Sequence, residues 1–131
     1  MVRNLVALLL IAAFAGCSSS SNSKAITTEN VEKGKKLFRS VGCTTCHSVS
    51  GEDRYGPHLN AILNTEVVVI HEGVNRTIKV NRDYIQRSIQ NPDFEKVIRF
   101  QNKKMPKPEL SPEEVDYIVD YLISVNQEVA N

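Results

Sequence analysis

The sequence predicts an all-α domain with one small β-hairpin, and three observations lead to this prediction. Residues 111–125 combine a helix-capping pattern with an apolar stripe, residues 27–42 form a second capped segment, and only residues 66–80 are rich in β-branched side chains. The length of 131 residues fits one domain. Because 16 basic and 15 acidic residues nearly balance, the composition gives no indication of a nucleic-acid partner.

The N-terminus has the pattern of an export signal. Arg3 precedes an apolar run of eleven residues, 5–15, which is shorter than the roughly 20 residues that a membrane span requires. Ala13-Phe14-Ala15 fits a signal peptidase site, whereas Phe14-Ala15-Gly16-Cys17 resembles a bacterial lipoprotein signal with an acylated Cys17. We favour the lipoprotein, because the other cleavage leaves Cys17 as a stray thiol in an oxidising compartment.

These patterns divide the chain into three parts. Residues 1–16 are the predicted signal peptide, the Ser-rich residues 17–26 a flexible tether, and residues 27–131 the folded domain. The expected product is an exported lipoprotein, anchored in a lipid membrane through Cys17 and facing the periplasm or the cell exterior. Ser18 after the lipid-bearing cysteine resembles the default pattern for sorting to an outer membrane.

The first helix is expected within residues 27–42, capped by Thr28 and ended by Gly42. Gly34 inside this helix is a poor helix former, which suggests that another element approaches closely there. Residues 66–80 follow as a hairpin, with Gly73 and Asn75 near its turn.

Two more helices complete the prediction. Residues 81–92 form a short helix that is capped by Asn81 or Asp83 and broken before Pro92. The last helix starts at the capping box of residues 111–114, with Pro112 at its first position. Its apolar stripe then predicts packing on a core and comprises Val115, Ile118, Tyr121, Leu122 and Val125.

The motif CTTCH (43–47) has three candidate occupants: a zinc ion, a reversible disulfide and a covalent haem. Zinc requires four ligands, and completing the set with His58 and His71 leaves His47 unexplained and fits no common zinc spacing. A thioredoxin-like pair starts a helix after a buried strand, whereas this pair follows a helix. Neither alternative explains all three side chains of the motif.

A haem explains all three. Two thiols separated by two residues add to the two vinyl groups of one ring, so Cys43 and Cys46 are the predicted attachment residues and His47 the axial iron ligand. Such attachment takes place outside the cytoplasm, in agreement with the export signal. We therefore predict one covalently bound haem c.

The second axial ligand decides between electron carrier and catalyst. Met1 is lost with the signal, and Met105 lies in the polar, proline-rich segment 102–111, where Pro106 keeps it out of a helix. A lone apolar sulfur donor on such a loop favours Met105 as the ligand. His58 and His71 remain as rivals.

These residues resemble the class I cytochrome c family over nearly all of residues 27–127: a first helix, CTTCH, GPHL (56–59), a Met-Pro loop (105–106) and a last helix. The resemblance implies a fold in which the terminal helices cross over the haem. Gly34 with Phe38, and Ile118 with Tyr121, would form the crossing. It also implies that the Pro57 carbonyl orients His47.

Residues 80–122 look most similar to the cytochrome domain of haem–copper oxidase subunit II, here without that subunit's membrane helices and copper domain. The resemblance implies electron transfer, in a respiratory or related chain, with an oxidase or dehydrogenase complex as redox partner rather than an enzymatic activity. Lys103, Lys104 and Lys107 form a candidate basic collar, and Arg54, Tyr55 and Tyr84 are candidate contacts of the haem propionates. An accessory haem subunit and a ligand-binding haem sensor or enzyme are the alternatives.

Overall fold

The computed structural model describes residues 25–129, so the predicted signal peptide and Cys17 lie outside the described residues. Within this range no helix is long and apolar enough to cross a membrane. The helices and strands are α1 (Thr28–Ser40), α2 (Cys43–Cys46), β1 (Glu66–His71), β2 (Val74–Lys79), α3 (Arg82–Gln90), β3 (Lys96–Val97), a 3₁₀ turn (Ile98–Phe100) and α4 (Pro112–Val129).

The start of α1 corrects the prediction by one residue. The cap is Thr27, in extended conformation, whose hydroxyl accepts a hydrogen bond from the N–H of Asn30 at 3.2 Å. Thr28 is already the first helical residue. The predicted end is confirmed, because Gly42 adopts a left-handed conformation (φ 85°) that a side chain would strain.

Helices α1 and α4 pack against each other, and Gly34 sets the closeness of their contact. A methyl group added at Gly34 would lie 1.8 Å from the carbonyl oxygen of Tyr117 on α4. One turn further along α1, the ring of Phe38 packs against Tyr121 with 5.6 Å between centroids. The close approach predicted for Gly34 is therefore present, and its partner is the last helix.

The hairpin forms as predicted, but it belongs to a three-stranded sheet in the order β2-β1-β3. Its turn is Glu72-Gly73, with φ of 49° and 78°, so the predicted Gly73 lies in the turn and Asn75 lies in β2. Positive φ at both central residues gives the twist that a two-residue hairpin favours. The all-α prediction is thus incomplete, because the short strand β3, which pairs Val97 with Val69, was not expected.

The caps of the last two helices follow the prediction. Asn81 accepts a hydrogen bond from the N–H of Tyr84, which decides between the two candidate caps of α3. Ser111 and Glu114 exchange the two hydrogen bonds of a capping box, at 3.2 and 2.8 Å. The predicted stripe of α4 lies in the core, which also contains Phe38, Val80, Ile85, Ile89, Val119 and Ile123.

Two buried polar side chains of α4 connect it to the rest of the chain. Asp120 is fully buried and accepts hydrogen bonds from Asn30 of α1 and Arg82 of α3. Asn126 accepts from the N–H groups of Ile62 and Leu63 and donates to a carbonyl oxygen of the same loop. Because buried polar groups need such partners, these bonds fix the position of α4 relative to α1, to α3 and to this loop.

Candidate haem-binding cleft

A cleft of about 250 Å³ brings together five of the predicted site residues, one of which is Pro57. Cys43, Cys46 and His47 line one side, and Met105 lies in the wall formed by the loop before α4. Most of the remaining lining is apolar and comes from α1, α3, α4, the sheet and the loops that connect them. The fold therefore places residues that are 58 positions apart around one apolar space.

The CTTC segment is a single helical turn, α2, preceded by the left-handed Gly42. The spacing of three residues puts Cys43 and Cys46 on one face of this turn, and both line the cleft as free, half-buried thiols. Burial raises the pKa of the Cys43 thiol above its usual value. Two thiols on one side of a single turn are well placed to attach to one rigid planar group.

His47 leaves α2 in an extended conformation, and its ring is held on two sides. Nδ1 donates a hydrogen bond to the carbonyl oxygen of Pro57 at 2.7 Å, because a carbonyl can only accept. The proton therefore resides on Nδ1, and Nε2 keeps its lone pair for a metal. Gly56 packs on the ring: a methyl group there would lie 2.6 Å from Cε1 of His47.

Met105 is half-buried, although the four residues before it and the two after it are exposed. Tyr55 supports this loop from across the cleft: its hydroxyl accepts a 3.5 Å hydrogen bond from the N–H of Lys104, and the ammonium of Lys103 lies 4.8 Å from its ring centroid. Met105 is thus the one sulfur side chain of the segment at the cleft, while Lys103 and Lys104 also line the cleft but are exposed to solvent. Iron ligation by Met105 stays a prediction.

One cluster that was not predicted joins the two sides of the cleft. Asp53 accepts hydrogen bonds from the backbone N–H and the ring of His58, and it forms a 2.9 Å ion pair with Arg99 beside the 3₁₀ turn. The hydrogen bond from the His58 N–H, helped by Arg99, holds the pKa of Asp53 below its usual value. Neither the spacing nor the composition of residues 53–58 identifies this contact, because its third member lies 46 positions from Asp53.

The other candidate residues lie in different parts of the structure. His58 lines the cleft but is engaged with Asp53, whereas His71 lies in β1 with its Nδ1 donating to the carbonyl oxygen of Phe94. Arg54 is exposed, donates to the carbonyl oxygen of Thr44 and does not line the cleft, and its assignment as a candidate propionate contact stays a prediction.

Tyr55 and Tyr84 do line the cleft, and burial raises the pKa of the Tyr84 hydroxyl. Ser88, one turn further along α3, also lines it. Its hydroxyl oxygen is buried, and its interaction with the Tyr84 hydroxyl offsets part of the rise in the Tyr84 pKa. Tyr84 and Ser88 thus add polar groups to the part of the cleft wall that α3 forms.

The donor set of this cleft fits a haem. Two thiols, an imidazole with a free Nε2 and a thioether line an apolar space, and these are the groups that attach and ligate c-type haem. Among the described residues, no three His, Cys, Asp or Glu side chains converge as ligands for a metal ion. The zinc alternative thus lacks support, since His71 does not line the cleft that contains the two thiols.

Comparisons with known proteins agree with this site. The family model described as "Cytochrome c" matches residues 31–126. A solved structure of cytochrome c from Rhodothermus marinus has a TM-score of 0.55 and 22% identity, covering 82% of this chain and 86% of that chain. An engineered form of that protein matches over the same shares at the same identity with a TM-score of 0.51. A comparison with curated protein sequences finds no match.

Proposed function

The chain belongs to the cytochrome c family, with its single covalently bound haem c, and on this premise we propose that it is a monohaem electron carrier. The observation that carries the proposal is the shared cleft of His47 and Met105. Ligation by both side chains would leave the iron without an open position for a substrate. Haem with this ligation supplies reversible one-electron redox chemistry at a raised potential.

Each proposed site residue has one task. Cys43 and Cys46 would hold the haem through thioether bonds, and His47 and Met105 would bind its iron. Pro57 keeps the His47 proton on Nδ1. Gly56 packs against the ring, so the Pro57 carbonyl and this packing together orient the imidazole.

The proposed partners are redox proteins with an acidic docking surface, such as an oxidase or dehydrogenase complex of a respiratory chain. Lys103, Lys104 and Lys107 are exposed around Met105, so complementary charge would steer a partner to this edge of the cleft. Acylation of Cys17 would keep the domain at a membrane outside the cytoplasm. The tether of residues 17–26 would let the anchored domain move between its electron donor and its electron acceptor.

The absorption spectrum of the purified protein tests the proposal. We expect a low-spin reduced c-type spectrum and a Met–iron charge-transfer band in the oxidised state. Met105→Ala should keep the covalent haem but turn it high-spin, whereas the matched variant Met105→His should remain low-spin with a lower potential. A wild-type spectrum that is high-spin and shifts with carbon monoxide would contradict the proposal and favour a ligand-binding haem protein.

A separate variant tests the proposed anchor. Cys17→Ser should release the protein from membranes into the soluble fraction, while its haem spectrum stays unchanged. Ser18→Ala, next to the acylation position, is the matched control and should remain membrane-bound. Membrane association of Cys17→Ser would contradict an anchor at this residue without affecting the electron-carrier proposal.

A further inference from the structure

A second hollow, of about 170 Å³, lies beside the haem-binding cleft and shares His47 with it. Its walls are the end of α1, the CTTC turn and the segment of residues 48–54. Arg39 and Arg54 both line it. Two guanidinium groups in one small hollow concentrate positive charge immediately next to the proposed axial histidine.

Neither arginine is neutralised by a carboxylate within residues 25–129. Arg82, Arg87 and Arg99 each form an ion pair with Asp or Glu, but Arg39 and Arg54 do not. The Arg54 guanidinium donates one hydrogen bond, to the carbonyl oxygen of Thr44, and keeps its other N–H groups. Within the described part of the chain, neither arginine thus has a direct ion-pair partner, although Glu32 and Glu128 act electrostatically on Tyr121, which also lines the hollow.

The backbone adds donors to the same hollow. The consecutive N–H groups of Ser48, Val49 and Ser50, which line it, donate no hydrogen bond to any described residue. The Ser48 hydroxyl is already used, since it donates to the carbonyl oxygen of Glu52 at 2.5 Å. Arginine side chains and unpaired backbone N–H groups around one hollow are donors of the kind that bind an oxyanion.

We propose that this hollow is a phosphate-binding site, in which Arg39 and Arg54 clamp a phosphate group against the N–H groups of residues 48–50. The planar guanidinium fork matches two oxygens of such a group better than a lysine does. Free phosphate and the headgroup of an anionic phospholipid present the same chemistry.

The site also has a redox consequence, which rests on the proposed electron-carrier function. An anion beside His47 stabilises the more positive oxidised haem, so phosphate should bind the oxidised protein more tightly and lower its potential. The coupling is reciprocal, so tenfold tighter binding to the oxidised form lowers the potential by about 59 mV.

Binding is tested on the haem-loaded Cys17→Ser protein, titrated with inorganic phosphate at constant ionic strength and followed through the backbone amide signals of residues 48–50. We expect saturable shifts, weakened about tenfold by Arg39→Gln and again by Arg54→Gln. Arg39→Lys should give an intermediate affinity. Arg76→Gln is the matched control, because Arg76 is exposed on β2 and forms no ion pair with a carboxylate of residues 25–129.

Shifts that do not saturate, or that persist equally in Arg39→Gln and Arg76→Gln, would overturn the site. Binding without any change in potential would uphold the site but remove its coupling to the proposed function. Flotation with phosphatidylglycerol and phosphatidylcholine vesicles separates the two sources of phosphate. If the protein floats with phosphatidylglycerol vesicles only when Arg39 is present, the ligand is a lipid headgroup. If the protein binds inorganic phosphate but does not float with the vesicles, the ligand is the free ion.

Discussion

The two walls of the haem-binding cleft hold their proposed iron ligands in different ways. On the His47 side, the contacts are close and join residues that are near each other in sequence. Gly56 packs on the ring, and the Gly56 N–H donates to the carbonyl oxygen of Cys46 at 2.9 Å. On the Met105 side, residues 104–110 make no backbone–backbone hydrogen bond to described residues. Within that loop, the Lys104 N–H donates to the hydroxyl of Tyr55, and the exposed ion pair of Arg99 with Asp53 lies just before the loop.

This difference predicts that substitutions in the two walls have different effects on the stability of the domain. Substitutions in the close-packed His47 wall, or in α1 that leads into it, should lower the stability of the whole domain. Substitutions in the contacts of the Met105 wall should leave the fold intact and change only how firmly Met105 is held.

The largest expected effect is that of Gly34→Ala. Alanine is favoured over glycine in a helix by about 1 kcal/mol, but the added methyl group would meet the Tyr117 carbonyl oxygen at 1.8 Å. Because that oxygen belongs to the backbone of α4, the helices must separate. We expect a net loss of about 2 kcal/mol or more in the free energy of unfolding, measured by denaturant titration.

Lys36→Ala on the exposed side of α1 is the matched control and should stay within about 0.5 kcal/mol of wild type. A stabilised Gly34→Ala protein would contradict the close packing of α1 on α4.

Gly56→Ala should have the next largest effect, at about 1–3 kcal/mol, because its methyl group would meet Cε1 of His47 at 2.6 Å. The displaced ring would lose its hydrogen bond to the Pro57 carbonyl, which is visible in the shifts of the ring protons. Pro57→Ala keeps that carbonyl and is the matched control, with a smaller effect on these shifts. Equal effects of both variants would show that the ring is not held by packing on Gly56.

The same contrast explains how far the sequence could predict the structure. Helix caps, CTTCH and the capping box act over three or four residues, so their patterns can be read directly, and even the misplaced Thr28 cap is wrong by one position. The Asp53–Arg99 pair joins two segments far apart in sequence, as does the bond between Asn126 and the loop of residues 59–63. Strand β3 has two residues and therefore no periodicity.

Asp53→Asn tests the connection between the walls and should cost less than about 1 kcal/mol, since the pair is partly exposed. The pKa of Asp53 is lowered, chiefly by the His58 N–H, so its contribution is complete above the ordinary aspartate pKa of about 3.9. That contribution is lost as the pH falls through the lower pKa of the folded state. Thermal unfolding between pH 7 and 3 should therefore show a weaker acid dependence for Asp53→Asn.

Glu109→Gln, at an exposed position in the loop before α4, is the control for the loss of one negative charge. An equal change in acid dependence for both variants would assign the effect to net charge rather than to the link with His58 and Arg99.

The smallest expected effect is that of Tyr55→Phe. The variant removes a hydroxyl that accepts one long hydrogen bond from the Lys104 N–H, but it keeps the ring under the Lys103 ammonium. Displacement of Met105 by added imidazole should become about twofold easier, because such a bond contributes about 0.5 kcal/mol. Tyr55→Ala also removes the cation–π contact and should have a larger effect. If the two variants behave alike, the hydroxyl alone holds the loop, and if neither differs from wild type, the Met105 wall does not depend on Tyr55.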